Sequence, residues 1–150
     1  MKKKRAGTRP SRKRNLGRYK SSIEKYCGDQ LRAAGIAYDY EKVEYELMSS
    51  FRYPERYLKM TAKKKDLSNR TGTVQLPIRY TPDFVAKDRS WVIETKGYLP
   101  SHHDFPMRWK LFLKHLVDNG LQCAVYIAKN KQQIDQVIAD IKENHGRGKA

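Results

Sequence analysis

Apolar residues at Ile23, Cys27, Leu31 and Ala34 form one stripe of a 3.6-residue repeat, which predicts a helix from Ser21 to Ala34 that stops at Gly35. Ser21 and Glu24 stand at capping-box spacing at its start, so Glu24 has a structural role open to it. From Ile36 to Leu47 the period changes to two, at Ile36, Tyr38 and Tyr40, then at Val43, Tyr45 and Leu47. The phase slips near Glu41 and Lys42, which predicts a bulged strand. Met48 to Gly72 shows no sustained period and predicts a surface loop or short helical insertion. Thr73 to Arg79 predicts a strand leading into Tyr80-Thr81-Pro82-Asp83-Phe84, and Trp91 to Lys96 predicts another, rich in β-branched and aromatic residues. Asp104 and Pro106 open a helix with Met107, Leu111, Phe112 and Val117 inward, ended by Gly120. Leu121 to Ala128 reads as a buried strand, and Asn130 caps a last helix with Ile134, Val137, Ile138 and Ile141 on its core side. The order is helix, three or four strands, helix, strand, helix, an α/β arrangement without internal repeat.

One pair of strands carries candidate chemistry. The period of two puts Glu94 and Lys96 on one face of their strand, away from Trp91, Ile93 and Thr95. Pro82 holds Thr81 extended, and Lys87 to Ser90 is a turn long enough to fold the Asp83 run back beside the Glu94 run. Two carboxylates and an ammonium then meet. Mg²⁺, or Mn²⁺, prefers oxygen ligands and takes one or two carboxylates, with water and substrate phosphate completing its shell. Asp83 and Glu94 can supply them, while Lys96 orients the attacking water or neutralises charge in the transition state of phosphodiester hydrolysis. The alternative is a hairpin whose charged residues simply face solvent.

Charge points to a polyanionic partner. The chain has 32 Lys and Arg against 16 Asp and Glu, a formal charge of +16. Much of the excess lies in residues 1 to 18, which include Lys2, Lys3, Lys4, Arg5, Arg12, Lys13 and Arg14 and no acidic residue. Such a run buries too little apolar surface to offset its ordering entropy. It is expected to be a disordered tail that contacts phosphates without reading bases, or else a solubility tail. Lys63, Lys64 and Lys65 in the 48–73 insertion, with Arg108 and Lys110 on the helix after the strand pair, are further candidate DNA contacts. His102 and His103 adjoin the same region and read as solvated loop residues or phosphate contacts. Cys27 and Cys123 lack paired metal spacing and read as reduced core residues of a cytoplasmic chain. No aliphatic run is long enough to span a bilayer, and no apolar segment makes the basic tail a targeting peptide.

A Pro-Asp, a spacer and Glu-x-Lys form the motif of the PD-(D/E)xK nuclease superfamily. Here the Tyr80–Phe84 and Val92–Gly97 runs resemble the endonuclease I family of lytic podophages, the Holliday-junction resolvases. The likeness extends upstream to Tyr19–Lys25, Leu31, Gly35-Ile36 and Tyr38–Glu41, and so covers roughly Tyr19 to Gly97 with a gap in the middle. The resemblance implies a restriction-endonuclease-like core over 19–145, a mixed central sheet flanked by helices. It implies an Mg²⁺- or Mn²⁺-dependent endonuclease acting on branched DNA in phage recombination, within the host cytoplasm. By the same resemblance the metal ligands are Asp83, Glu94 and the main-chain carbonyl of Thr95, with Glu24 completing the site, and Lys96 is catalytic. A homodimer is implied, and if its chains are intertwined, Glu24 of one serves Asp83 of the other. The segment between Tyr45 and Tyr80 is longer than the family's intersubunit bridge. Two other readings stand beside this one: a transposase-associated or restriction-type nuclease on the same core, and a non-catalytic DNA-binding protein whose carboxylates are structural.

Overall fold

The computed structural model describes residues 15–96 and 104–145. The candidate contacts Lys2, Lys3, Lys4, Arg5, Arg12, Lys13 and Arg14, and the pair His102 and His103, lie outside the described residues. In chain order the elements are α1 (Ser22–Ala33), β1 (Tyr38–Tyr40), β2 (Tyr45–Met48), β3 (Phe51–Arg52), β4 (Leu58–Thr61) and β5 (Lys64–Asn69). There follow β6 (Val74–Gln75), β7 (Ile78–Tyr80), β8 (Phe84–Ala86), β9 (Trp91–Thr95), α2 (Phe105–Asp118), β10 (Ala124–Ala128) and α3 (Lys131–Asn144).

The fold is mixed α/β. A four-stranded sheet runs in the order β1-β8-β9-β10, with β1·β8 and β8·β9 antiparallel and β9·β10 parallel. Alternate side chains of its central strands go to opposite faces. Phe84, Ala86, Trp91 and Ile93 pack with Cys27 and Leu31 of α1 and Ile134, Val137, Ile138 and Ile141 of α3. Val85 and Val92 pack with Tyr80 and with Phe112 and Leu116 of α2. Helices therefore cover both faces, which explains why all five residues of β9 are buried.

Both predicted caps form. Ser21 Oγ accepts from the Glu24 N–H at 3.2 Å, and Asn130 Oδ1 accepts from the Gln133 N–H at 2.8 Å. Gly35 and Gly120 follow α1 and α2 at φ of 70° and 61°. At Gly28 the fold needs the missing side chain itself, since a Cβ there would lie 2.1 Å from the Tyr19 hydroxyl. Tyr19 is 7% exposed and edges onto Tyr40 at 4.8 Å. Gly28→Ala must displace that ring and is expected to cost about 1–3 kcal/mol. A urea midpoint equal to wild type would show that the ring yields freely.

Four expectations are corrected. The slip at Glu41 is a break between two strands, not a bulge. Glu41 takes φ 45°, its N–H bonds to the Asp83 carbonyl at 2.9 Å, and β2 leaves the main sheet to pair with β7. On α2 the inward stripe is Phe105, Trp109, Phe112 and Leu116, whereas Met107 and Val117 are 72% and 75% exposed. That helix is apolar on nearly every side, so its period admits two phases, and the phase that buries the larger aromatic surface prevails. β10 is an edge strand, with Ile127 47% exposed.

The largest correction is the 48–73 insertion, which is neither loop nor helix. β2·β7, β3·β6 and β4·β5 are nested antiparallel pairs, Tyr45 opposite Tyr80, Phe51 opposite Gln75 and Leu58 opposite Asn69. Together they form one two-stranded ribbon that turns between Thr61 and Lys64. Its root is held where Tyr45 packs 5.0 Å from Phe112 between ring centroids.

Candidate active site

The site lies where β8 begins and β9 ends. Phe84 pairs with Ile93, so the same register sets Asp83 opposite Glu94 and Pro82 opposite Thr95. The Lys96 N–H donates to the Ala128 carbonyl at 2.8 Å, so the main-chain groups of Lys96 face β10 and those of Thr95 face β8. Opposite Thr95, however, Pro82 has no N–H to give. The Asp83 carboxylate takes the place of the ladder: its Oδ2 accepts from the Thr95 N–H and from Thr95 Oγ1, both at 2.7 Å. Among the described residues the Thr95 carbonyl thus has no ladder donor from β8, which leaves it available as an oxygen ligand. Pro82 shapes the site by the donor it lacks.

Glu94 is 6% exposed and held at both oxygens. Tyr80 donates its hydroxyl proton to Oε2, and Lys96 Nζ contacts Oε1, each at 2.5 Å. Burial, then the charge of Glu94, pushes the Tyr80 phenol far above its ordinary range, so it stays a donor. The Lys96 ammonium also sits 3.7 Å above the centre of the Phe105 ring. This fixes a charge that a flexible side chain would otherwise let wander.

Desolvation first, and then the adjacent Glu94 charge, raises the Asp83 carboxyl to about 7. The two Thr95 hydrogen bonds oppose the shift, and Glu24 adds a smaller push upward. α1 thus places the Glu24 charge near enough to Asp83 to be felt there, though more weakly than that of Glu94. Glu24 Oε2 accepts from the Lys20 N–H at 2.9 Å and from the Tyr40 hydroxyl at 2.5 Å, so it caps α1 and ties that helix to β1.

A cleft of about 420 Å³ opens beside Glu94 and Lys96, lined also by Lys20, Arg79, Tyr80, Phe105 and Arg108. Arg79 pairs with Glu44 at 3.4 Å, Arg108 with Asp104 at 2.6 Å and Lys20 with Glu41 at 2.6 Å. Exposed pairs of this kind are worth about 0–1 kcal/mol, so an arriving phosphate can exchange for the carboxylates. Lys110 is exposed and does not line this cleft, because two residues of helix turn it away from Arg108. Lys63, Lys64 and Lys65 stand at the far end of the ribbon. Tyr80 and Phe105 were not singled out by sequence reasoning. The signal for Tyr80 is its place two residues before Pro82, at the end of β7.

Among the described residues no group of three or more His, Cys, Asp or Glu side chains could hold a metal ion. Glu24, Asp83 and Glu94 are therefore not gathered into one three-carboxylate cluster. What the strand ends offer is two carboxylates and the Thr95 carbonyl. That set of hard oxygens suits Mg²⁺ or Mn²⁺, for which one or two carboxylates are the usual protein share. Among the described residues no helix is long and apolar enough to cross a membrane. The two cysteines are free, Cys27 buried and Cys123 half-buried, and burial pushes the Cys123 thiol up to about 11. Comparisons with protein-family models, with curated proteins and with solved structures find no match.

Proposed function

We propose that the protein is a metal-dependent DNA endonuclease on a restriction-endonuclease-like core, acting on branched DNA. One observation carries the reading: Asp83, Glu94 and Lys96 come together at the ends of paired strands, beside a cleft lined by Lys20, Arg79 and Arg108. A structural salt bridge explains Lys96 and Glu94, and the Thr95 hydrogen bonds hold Asp83 in place, but neither accounts for setting a half-buried carboxylate beside a second one, which raises its pKa.

Asp83, Glu94 and the Thr95 carbonyl would hold Mg²⁺ or Mn²⁺. Such a cation supplies positive charge to the scissile phosphate and makes an attacking water more acidic. Lys96, oriented by Glu94 and Phe105, places its ammonium where charge accumulates on the phosphoryl oxygens or where the attacking water is held. Tyr80 keeps Glu94 in one rotamer, and Arg79, Arg108 and Lys20 receive the flanking phosphates. We take each subunit to carry a site of its own, made by Asp83, Glu94, Thr95 and Lys96; a homodimer would then set two such sites on opposing strands of a junction.

The test is cleavage by the full chain of a four-way junction and of its separate linear duplex arms, with Mg²⁺ or with EDTA. Paired nicks in the junction, absent with EDTA and weak on the duplexes, are expected. Metal-dependent cutting of linear duplex at a fixed sequence would move the protein to a restriction-type activity, and binding without cutting would leave only the DNA-binding reading.

A further inference from the structure

The ribbon from β2 to β7 is built unlike the rest of the chain. Only its root is packed. Of the twelve large apolar side chains exposed among the described residues, eight lie between residues 48 and 76: Met48, Phe51, Tyr53, Leu58, Met60, Leu67, Val74 and Leu76. The same segment carries seven basic residues, Arg52, Arg56, Lys59, Lys63, Lys64, Lys65 and Arg70, against Glu55 and Asp66 alone. Arg79 and Arg108 at the cleft pair with carboxylates. None of these seven does so among the described residues.

The register sorts the tip into two faces. Lys59 stands opposite Ser68 and Thr61 opposite Lys64, so one face is polar and basic. The alternate positions, Leu58 and Met60 on β4 with Lys65 and Leu67 on β5, fall to the other face, across a register shift between Lys59 and Thr61. Met60 is 80% exposed and Leu67 60%. A lone two-stranded ribbon is marginally stable in water, and nothing in its own fold uses these side chains.

We propose that this ribbon is an arm that lies along the minor groove of duplex DNA, its lysines on the phosphates and Met60 with Leu67 wedged at a base step. Basic side chains flanking an apolar wedge are the combination with which minor-groove binders bend DNA. A second copy of the arm fits poorly as occupant, because two such strongly basic ribbons repel. The sixteen residues from Met48 to Lys63 reach at most about 50 Å, more than the roughly 34 Å of one duplex turn. The arm therefore holds duplex remote from the site of cutting. β7 also leads directly to Pro82 and Asp83 and carries Tyr80, the donor to Glu94, so a pull on the arm acts at the site.

The proposal takes DNA as partner from the proposed function, but its test needs no catalysis. Binding of a 30-bp duplex labelled at both ends is titrated in EDTA at several salt concentrations, reading affinity by anisotropy and bending by energy transfer. Replacing Lys59, Lys63, Lys64 and Lys65 together by Ala is expected to flatten the plot of log affinity against log salt by about 3 to 4, near 0.9 for each phosphate contact. Met60→Ala with Leu67→Ala should keep the slope, lose the bend and weaken binding about tenfold. Unchanged melting temperatures establish that both variants are folded. A salt slope equal to wild type in the lysine variant, or full bending without Met60 and Leu67, overturns the arm. So does loss of binding to phosphatidylserine vesicles with DNA binding intact, which would make it a membrane contact. If the nuclease reading fails, no cutting occurs with Mg²⁺ while these binding differences persist; if the arm fails, cutting persists without them.

Discussion

Lys96→Ala and Asp83→Asn are each expected to lower Mg²⁺-dependent cleavage by at least about a hundredfold while leaving DNA affinity within a few-fold of wild type. The two losses arise differently. Lys96 contributes a charge already held in place by Glu94 at 2.5 Å and by Phe105, so its removal takes away preorganised stabilisation of the transition state, a loss of roughly 10²–10³ in rate. Asp83→Asn can keep the acceptor for the Thr95 N–H but loses the negative charge that a cation needs. Raising Mg²⁺ should therefore not rescue Lys96→Ala and should rescue Asp83→Asn only in part. Binding survives because the cleft cations Arg79, Arg108 and Lys20 are untouched. Glu94→Gln should fall with them. Full cleavage by folded Lys96→Ala and Asp83→Asn proteins would remove this pair of strand ends from consideration as the catalytic centre.

The paired strands were legible because each of their parts has a local cause. Pro82 enforces extension, Lys87 to Ser90 reverses the chain, and alternation in β9 separates Glu94 and Lys96 from Trp91 and Ile93. The caps at Ser21 and Asn130 act within three residues and were legible for the same reason. The ribbon was not. Leu58-Lys59-Met60-Thr61 alternates for only four residues, and the return strand Lys64–Asn69 has a single apolar residue, Leu67, so the period is too short to tell a strand from a loop. Tyr80 escaped notice because its function depends on Glu94, fourteen residues away and reached only through β8 and β9. Glu24 was read both as a cap and as a member of the metal site, and the structure makes the first concrete: Ser21, Lys20 and Tyr40 all bond to it or its backbone. Within one chain α1 packs against Phe84 of β8 through Cys27 and Leu31.

Asp83 should also make the protein's stability depend on pH in a direction opposite to that of an ordinary paired carboxylate. Its carboxyl is raised to about 7 in the folded chain from 3.8, so between these values the native state holds a proton that the unfolded chain releases. The stability this confers is fully present below about pH 4 and is lost as pH rises through about 7. The whole difference corresponds to at most about 4 kcal/mol, and because Asp83 is only part-buried, water screening leaves an expected 1–2 kcal/mol. In EDTA at pH 8, Asp83→Asn should therefore be more stable than wild type by that amount, about 3–6 °C in Tm, and the gap should shrink at pH 5. On the proposed function Mg²⁺ would bind the native, ionised site alone, so at pH 8 it should raise the Tm of wild type and that of Asp83→Asn much less. Melting both proteins at pH 5 and 8, with EDTA and with Mg²⁺, reads all of this without a cleavage assay. Parallel curves for the two proteins, with no Mg²⁺ response in either, would show that Asp83 is neither strained by Glu94 nor a ligand. At subsaturating Mg²⁺ the cleavage rate should climb with pH toward a plateau above about 7, as the carboxylate that receives the cation forms.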